Sequence, residues 1–80
     1  MSRETILIRT QDIFRDIFNA PSLVIHDDLS AYDIGDWDSL NHINLISAIQ
    51  QEFRIKFELN ELQKLKTVGI IIDSILKKTS

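Results

Sequence analysis

Between Ile6 and Phe18 the apolar side chains recur at helical spacing. On a wheel of about 100° per residue, Ile6, Leu7, Thr10, Ile13, Phe14, Ile17 and Phe18 share one arc, and Arg9, Arg15 and Asp16 fall outside it. Such a segment has to bury one face, which predicts an amphipathic helix. Asn19-Ala20-Pro21 ends it, because the residue before a proline is pushed out of the helical region. The same period returns at Ser39, where Ile43, Leu45, Ile46, Ile49 and Phe53 cover one face. Asp38 is placed as the cap, and the helix is predicted to run to about Phe53. A third helix is predicted from Thr67, as cap, through Lys78. It carries Val68, Ile71, Ile72, Ile75 and Leu76 on one side and ends in Lys77 and Lys78, which suit a helix C-terminus.

The intervening segments are less regular. Leu59, Leu62 and Leu65 fit a short helix. The stretch FRIKFEL alternates Phe53, Ile55, Phe57 and Leu59 with charged residues, as a strand would, and Val68 to Ile72 is the other strand-like run, so a two-stranded alternative stays open. Residues 19–38 are rich in Asp, Ser, Gly and Pro yet contain Leu23, Val24, Ile25, Leu29, Tyr32, Ile34 and Trp37, which predicts a long loop pinned to the core. The expected fold is all-α, with three main helices, one short helix before the last, and a long loop between helices one and two.

With 80 residues the chain is expected to form a single domain, 1–80, burying roughly 60% of its unfolded surface and leaving little room for an enclosed active site. Its apolar fraction of 44% and charged fraction of 26% are those of an ordinary globular protein. The apolar run Val68 to Ile72 is far short of the about 20 residues that span a bilayer. The N-terminus mixes Arg3, Glu4 and Arg9 into its apolar residues, unlike a signal peptide, so a cytoplasmic, monomeric protein is expected. The chain has no cysteine, so any thiol chemistry would have to arrive on a cofactor.

The net charge of −3 is unevenly spread: Asp27, Asp28, Asp33, Asp36 and Asp38 lie within residues 19–38, which contain no Lys or Arg. That run is either a solvated loop or an attraction for a basic partner; it would repel nucleic acid, and the basic residues elsewhere lack aromatic interleaving.

Ser39, at the start of the second helical pattern, admits several readings. It belongs to a helix cap, or its hydroxyl is presented for chemistry. A capping box is incomplete, since His42 stands three residues beyond Ser39 and Asn41 three beyond Asp38. A hydrolytic nucleophile with His42 as base is disfavoured, because no G-x-S-x-G elbow is present and His26 and His42 are the only histidines. Metal binding is disfavoured by the scatter of the loop aspartates, which match no EF-hand. Leu40 falls outside the apolar arc and shares its side with Asn44, Ser47 and Gln51, an uncharged polar face of the kind that docks another protein.

Asp38-Ser39-Leu40 at the start of a second helix, FRIKFELNEL downstream and TVGIIIDSI near the end together resemble an acyl carrier protein, of the discrete or excised fatty-acid, polyketide or peptidyl kind, over nearly the whole chain. The resemblance implies a four-helix bundle, not an enzyme, whose Ser39 receives 4′-phosphopantetheine from coenzyme A through a phosphopantetheinyl transferase. The arm then carries acyl or aminoacyl groups as thioesters between loading and condensing enzymes. It further implies that Asp38 serves recognition by the transferase and its metal ion. Leu40 and Asn44, on the uncharged polar face, and Trp37, beside the serine, are the other positions expected to meet partners. Ile43, Ile46, Ile49 and Phe53 are expected to line an interior where a short acyl chain inserts. Trp37 admits a second reading, as a loop side chain closing over the core.

Two departures bear on the pathway. The fatty-acid carriers have an acidic second helix, where this chain has Asn41, Asn44, Gln50 and Gln51 with Glu52 as its one interior acid, and Trp37 replaces an aliphatic residue. Both tilt the reading from housekeeping fatty-acid synthesis toward a specialised pathway. The alternative is a small helical interaction module with the carrier fold and no prosthetic group.

Overall fold

In the computed structural model, which describes residues 1–79, the apolar arc near the N-terminus forms helix α1, Arg3–Ile17. Ser2 caps it by accepting a hydrogen bond from the Thr5 N–H at 3.1 Å. Its end is made without glycine. Asn19 takes the left-handed conformation, φ 50°, and the N–H groups of Ala20 and Asn19 reach back to the carbonyls of Arg15 and Asp16. Helix α2 runs Ser39–Phe53, α3 is the single turn Leu59–Leu62, and α4 is Val68–Thr79.

Helix α1 packs against both α2 and α4. The core is built from Ile6 and Phe14 of α1, Leu45 and Ile49 of α2, and Val68, Ile71, Ile72 and Ile75 of α4, all fully buried. Burying side chains of this size stabilises the fold by about 1.5–3 kcal/mol each. The β-branched run Val68 to Ile72 is therefore helical: its period matches the face it presents to α1, and the Thr67 hydroxyl caps it by accepting from the Ile70 N–H at 3.3 Å.

The strand alternative is not realised. FRIKFEL leaves α2 through Arg54, left-handed at φ 54°, and continues extended, with Phe53 and Phe57 buried and Ile55 half-buried. Its backbone is satisfied from a side chain, as the Phe57 N–H donates to Oε1 of Gln50 at 2.9 Å. Among the described residues, strand-like pairing is confined to one antiparallel bridge between Ser30 and Thr67.

The long loop is anchored at fewer points than its apolar content suggests. Ile25, Leu29 and Trp37 are buried, whereas Val24 is 68% exposed and Tyr32 fully so. Polar ties hold it as well. The Ile25 N–H donates to Oε1 of Gln11 at 3.0 Å, Arg15 Nε donates to the Leu23 carbonyl at 2.7 Å, and the N–H groups of Val68 and Gly69 donate to the carbonyls of Leu29 and Asp27. Gly69 permits that approach, since a Cβ there would lie 3.1 Å from the Asp27 carbonyl oxygen. Arg3 adds an exposed fork to Asp27 and Asp73, 3.1 Å from each.

One expected core position is corrected. Ile43 is 65% exposed, because the buried arc of α2, set by Leu45, Ile49, Phe53 and Ile46, spans about 100° and Ile43 lies about 60° beyond its edge.

Candidate functional site

The loop arrives at α2 through a tight chain reversal. The Trp37 N–H donates to the Ile34 carbonyl and the Asp38 N–H to that of Asp36. Asp38 is then extended, φ −96° and ψ −175°, and its Oδ1 accepts from the Asn41 N–H at 2.8 Å. Asp38, not Ser39, is thus the cap. Asn41 stands where a capping-box partner would but does not accept the Asp38 N–H: its Nδ2 donates to the Asp36 carbonyl at 2.7 Å and fixes the entering loop.

This geometry makes Ser39 the first residue of α2, exposed, its hydroxyl without a hydrogen-bond partner among the described residues. Its own N–H and that of Leu40 have no acceptor within the helix, because the first turn of any helix leaves such donors free. Leu40, 66% exposed, and Asn44 lie farther round α2, on the side that faces solvent with Ser47 and Gln51.

Ser39 stands on the rim of an open groove of about 890 Å³. Asp38, Ser39, His42 and Ile43 of α2 and its cap line it together with Trp37, and Tyr32 of the loop and Leu65 and Lys66 ahead of α4 complete it. The sequence brings Ser39, Asp38 and Trp37 to one place; Leu40 and Asn44 are not in the groove.

Trp37 is 5% exposed, so of its two expected roles the structure realises the loop side chain that closes over the core and corrects that of a surface contact for partners. Its ring closes over the core, edge-on to Phe14 at 5.3 Å and tilted against Phe18 at 6.1 Å. Its Nε1–H donates to Nδ1 of His42 at 2.9 Å, and the two rings stack at 6.0 Å with an interplanar angle of 22°. Burial pushes the His42 imidazole below its ordinary value of 6.5. Because an indole N–H only donates, Nδ1 is the acceptor and the neutral ring carries its proton on Nε2. His42 is a further residue that the structure brings to this site, half-buried between Trp37 and the groove. A signal for it existed: on the wheel His42 falls inside the arc of Leu45, Ile46, Ile49 and Phe53, a polar ring on an apolar face at the end nearest Ser39.

No three His, Cys, Asp or Glu side chains among the described residues are grouped to hold a metal ion, and no described helix is long and apolar enough to cross a membrane. The site is an exposed hydroxyl at a helix start, beside an apolar groove.

Residues 9–75 match the family model described as phosphopantetheine attachment site. The chain belongs to the acyl carrier protein family. It is 32% identical over 81 residues to an acyl carrier protein of Thermosynechococcus vestitus, covering 100% of this chain and 99% of that one. It is 29% identical over 79 residues to an acyl carrier protein of Acidothermus cellulolyticus, covering 99% and 94%. The structure superposes on the solution structure of holo acyl carrier protein from Geobacter metallireducens with a TM-score of 0.85 and 47% identity, over 90% of this chain and 83% of that one. This acyl carrier protein is accordingly a carrier and not an enzyme, and its prosthetic group is 4′-phosphopantetheine.

Proposed function

We propose that Ser39 bears the phosphopantetheine arm and that the groove beside it receives the first atoms of the cargo. The observation that carries this reading is the Ser39 hydroxyl itself, exposed at the first position of α2 with no competing hydrogen bond, on the rim of a groove that Trp37 and Leu65 make largely apolar. The residues fit the group. A phosphodiester on Ser39 would lie against the free N–H groups at the start of α2, where the helix dipole also favours negative charge.

In attachment, the Ser39 oxygen forms the new bond to phosphorus, coenzyme A releases adenosine bisphosphate, and the serine proton passes to a base of the transferase. When bound, the arm supplies a terminal thiol on which acyl groups travel as thioesters. What this chain contributes is presentation. Asp38 holds the first turn of α2 in place and offers its second carboxylate oxygen to the transferase and its metal ion. Leu40, with Asn44 beyond it, gives loading and condensing enzymes an uncharged apolar contact, and exposed Ile43 adds to it.

The charge pattern favours a specialised polyketide or related secondary-metabolite pathway over housekeeping fatty-acid synthesis. Glu52, the one acid inside α2, is held by Arg9 at 2.6 Å, and the loop aspartates provide the remaining attraction for basic partners.

Intact-protein mass spectrometry tests the reading. After incubation with coenzyme A, magnesium and a promiscuous phosphopantetheinyl transferase, the parent chain gains one phosphopantetheinyl group and Ser39→Ala gains none. Equal gain in both variants would place the arm elsewhere.

A further inference from the structure

We propose that His42 is a binding residue for the arm, presenting its Nε2–H to the phosphodiester on Ser39; the proposal rests on the assignment of Ser39 above. Ser39 and His42 are three residues apart on α2, one turn along the same side, and both line the groove. Side chains on a helix lean toward its N-terminus, so the His42 ring covers the turn that begins at Ser39.

Trp37 sets the chemistry of that ring. Its donor-only Nε1–H occupies Nδ1 of His42 at 2.9 Å, which fixes both the tautomer and the ring plane and leaves Nε2–H on the edge away from the indole. That N–H has no partner among the described residues. Trp37 is itself immobilised by Phe14 and Phe18, so the donor is held before any arm arrives.

The other polar groups of the groove leave a place for it. The Asn41 N–H is taken by the Asp38 carboxylate, and the His42 N–H by the Asp38 carbonyl. The carboxylates of Asp28, from the loop, and Asp38 oppose an anion, Tyr32 is neutral, and Lys66, ahead of α4, is the one lining cation among the described residues. An uncommitted donor next to the serine offsets the acidic cap. A fixed phosphodiester charge would in turn draw the His42 pKa upward from the low value that burial gives it.

The test uses full-length protein in apo form and after enzymatic loading, with loading read first by intact mass. Nitrogen resonances of labelled histidine give the His42 titration in each form, and ³¹P resonances follow the phosphodiester. The expected result is a His42 pKa higher by about one pH unit in the loaded protein. A ³¹P inflection at the same pH, absent from loaded His42→Gln of unchanged circular dichroism, completes it. A loaded protein whose His42 titrates as in the apo form, with a ³¹P shift flat from about pH 5 to 8, overturns the donor role. Failure of the parent chain to load would overturn the arm assignment and the donor role with it.

Discussion

Trp37 Nε1 and His42 Nδ1 are 2.9 Å apart, and this hydrogen bond joins that of Asn41 to the Asp36 carbonyl in tying the last turn of the loop to the first turns of α2. It exists only while Nδ1 is unprotonated, and burial favours the same neutral form. A histidine whose folded pKa lies below its unfolded value contributes stability that is complete above 6.5 and declines as pH falls toward the folded pKa, because the unfolded chain then binds the extra proton. Urea midpoints followed by the emission of the single tryptophan should therefore fall between pH 7.5 and 5.5, and the fall should be smaller in His42→Gln. Glu61, lowered by the Glu58 N–H and then by Lys78, adds acid lability only below 4.5, outside that window. An equal decline in both variants would assign the effect to other groups.

Thr10 contributes the one buried side-chain oxygen without a partner among the described residues. Its hydroxyl sits on the face of α1 that also carries Ile6 and Phe14, and a buried hydroxyl left unpaired costs about 1–3 kcal/mol. Thr10→Val keeps the shape and removes the polar atom. We expect a gain of about 1 kcal/mol in urea unfolding. A loss would mean that the hydroxyl is paired in solution, by water.

The contrast between α1 and the loop shows what the residues reveal on their own. The arc from Ile6 to Phe18 could be read because a helix repeats its burial every turn, and Ile6, Phe14 and Phe18 are buried as that period requires. Asp38 as cap and Ser39 as first helical residue were legible for the same local reason. Val24 and Tyr32 were not, since nothing local tells which apolar loop residues meet the core. The alternation of FRIKFEL was real, but its partner turned out to be the Gln50 side chain and not a second strand. The Trp37–His42 pair escaped because it crosses from loop to helix, where neither the helical nor the strand period applies.

Arg54 and Asn19 hold left-handed backbone that glycine adopts freely, while neither glycine of the chain has positive φ. Arg54 closes α2, its N–H donating to the Gln50 carbonyl, and Cβ crowding there costs about 1–2 kcal/mol. Arg54→Gly should raise stability by about 0.5–1 kcal/mol, the gain being reduced by the greater freedom of glycine in the unfolded chain. A destabilised Arg54→Gly variant in the same unfolding assay would show that the arginine side chain contributes more than its backbone costs.

Ser39 and Asp38 can be separated experimentally because only one of them caps α2. Asp38 Oδ1 accepts the Asn41 N–H, and removing such an acceptor costs about 1 kcal/mol, so Asp38→Ala should lower the unfolding free energy by that amount. The Ser39 hydroxyl accepts and donates nothing among the described residues, so Ser39→Ala should leave stability within about 0.5 kcal/mol of the parent. In the mass assay Ser39→Ala should be inert. Asp38→Asn, which keeps the capping oxygen and removes the charge, should stay folded and load more slowly if the transferase reads the carboxylate. A Ser39→Ala variant that unfolds with Asp38→Ala would make the serine a structural element of the cap, whereas loss of loading with the helix intact leaves the hydroxyl no role but attachment.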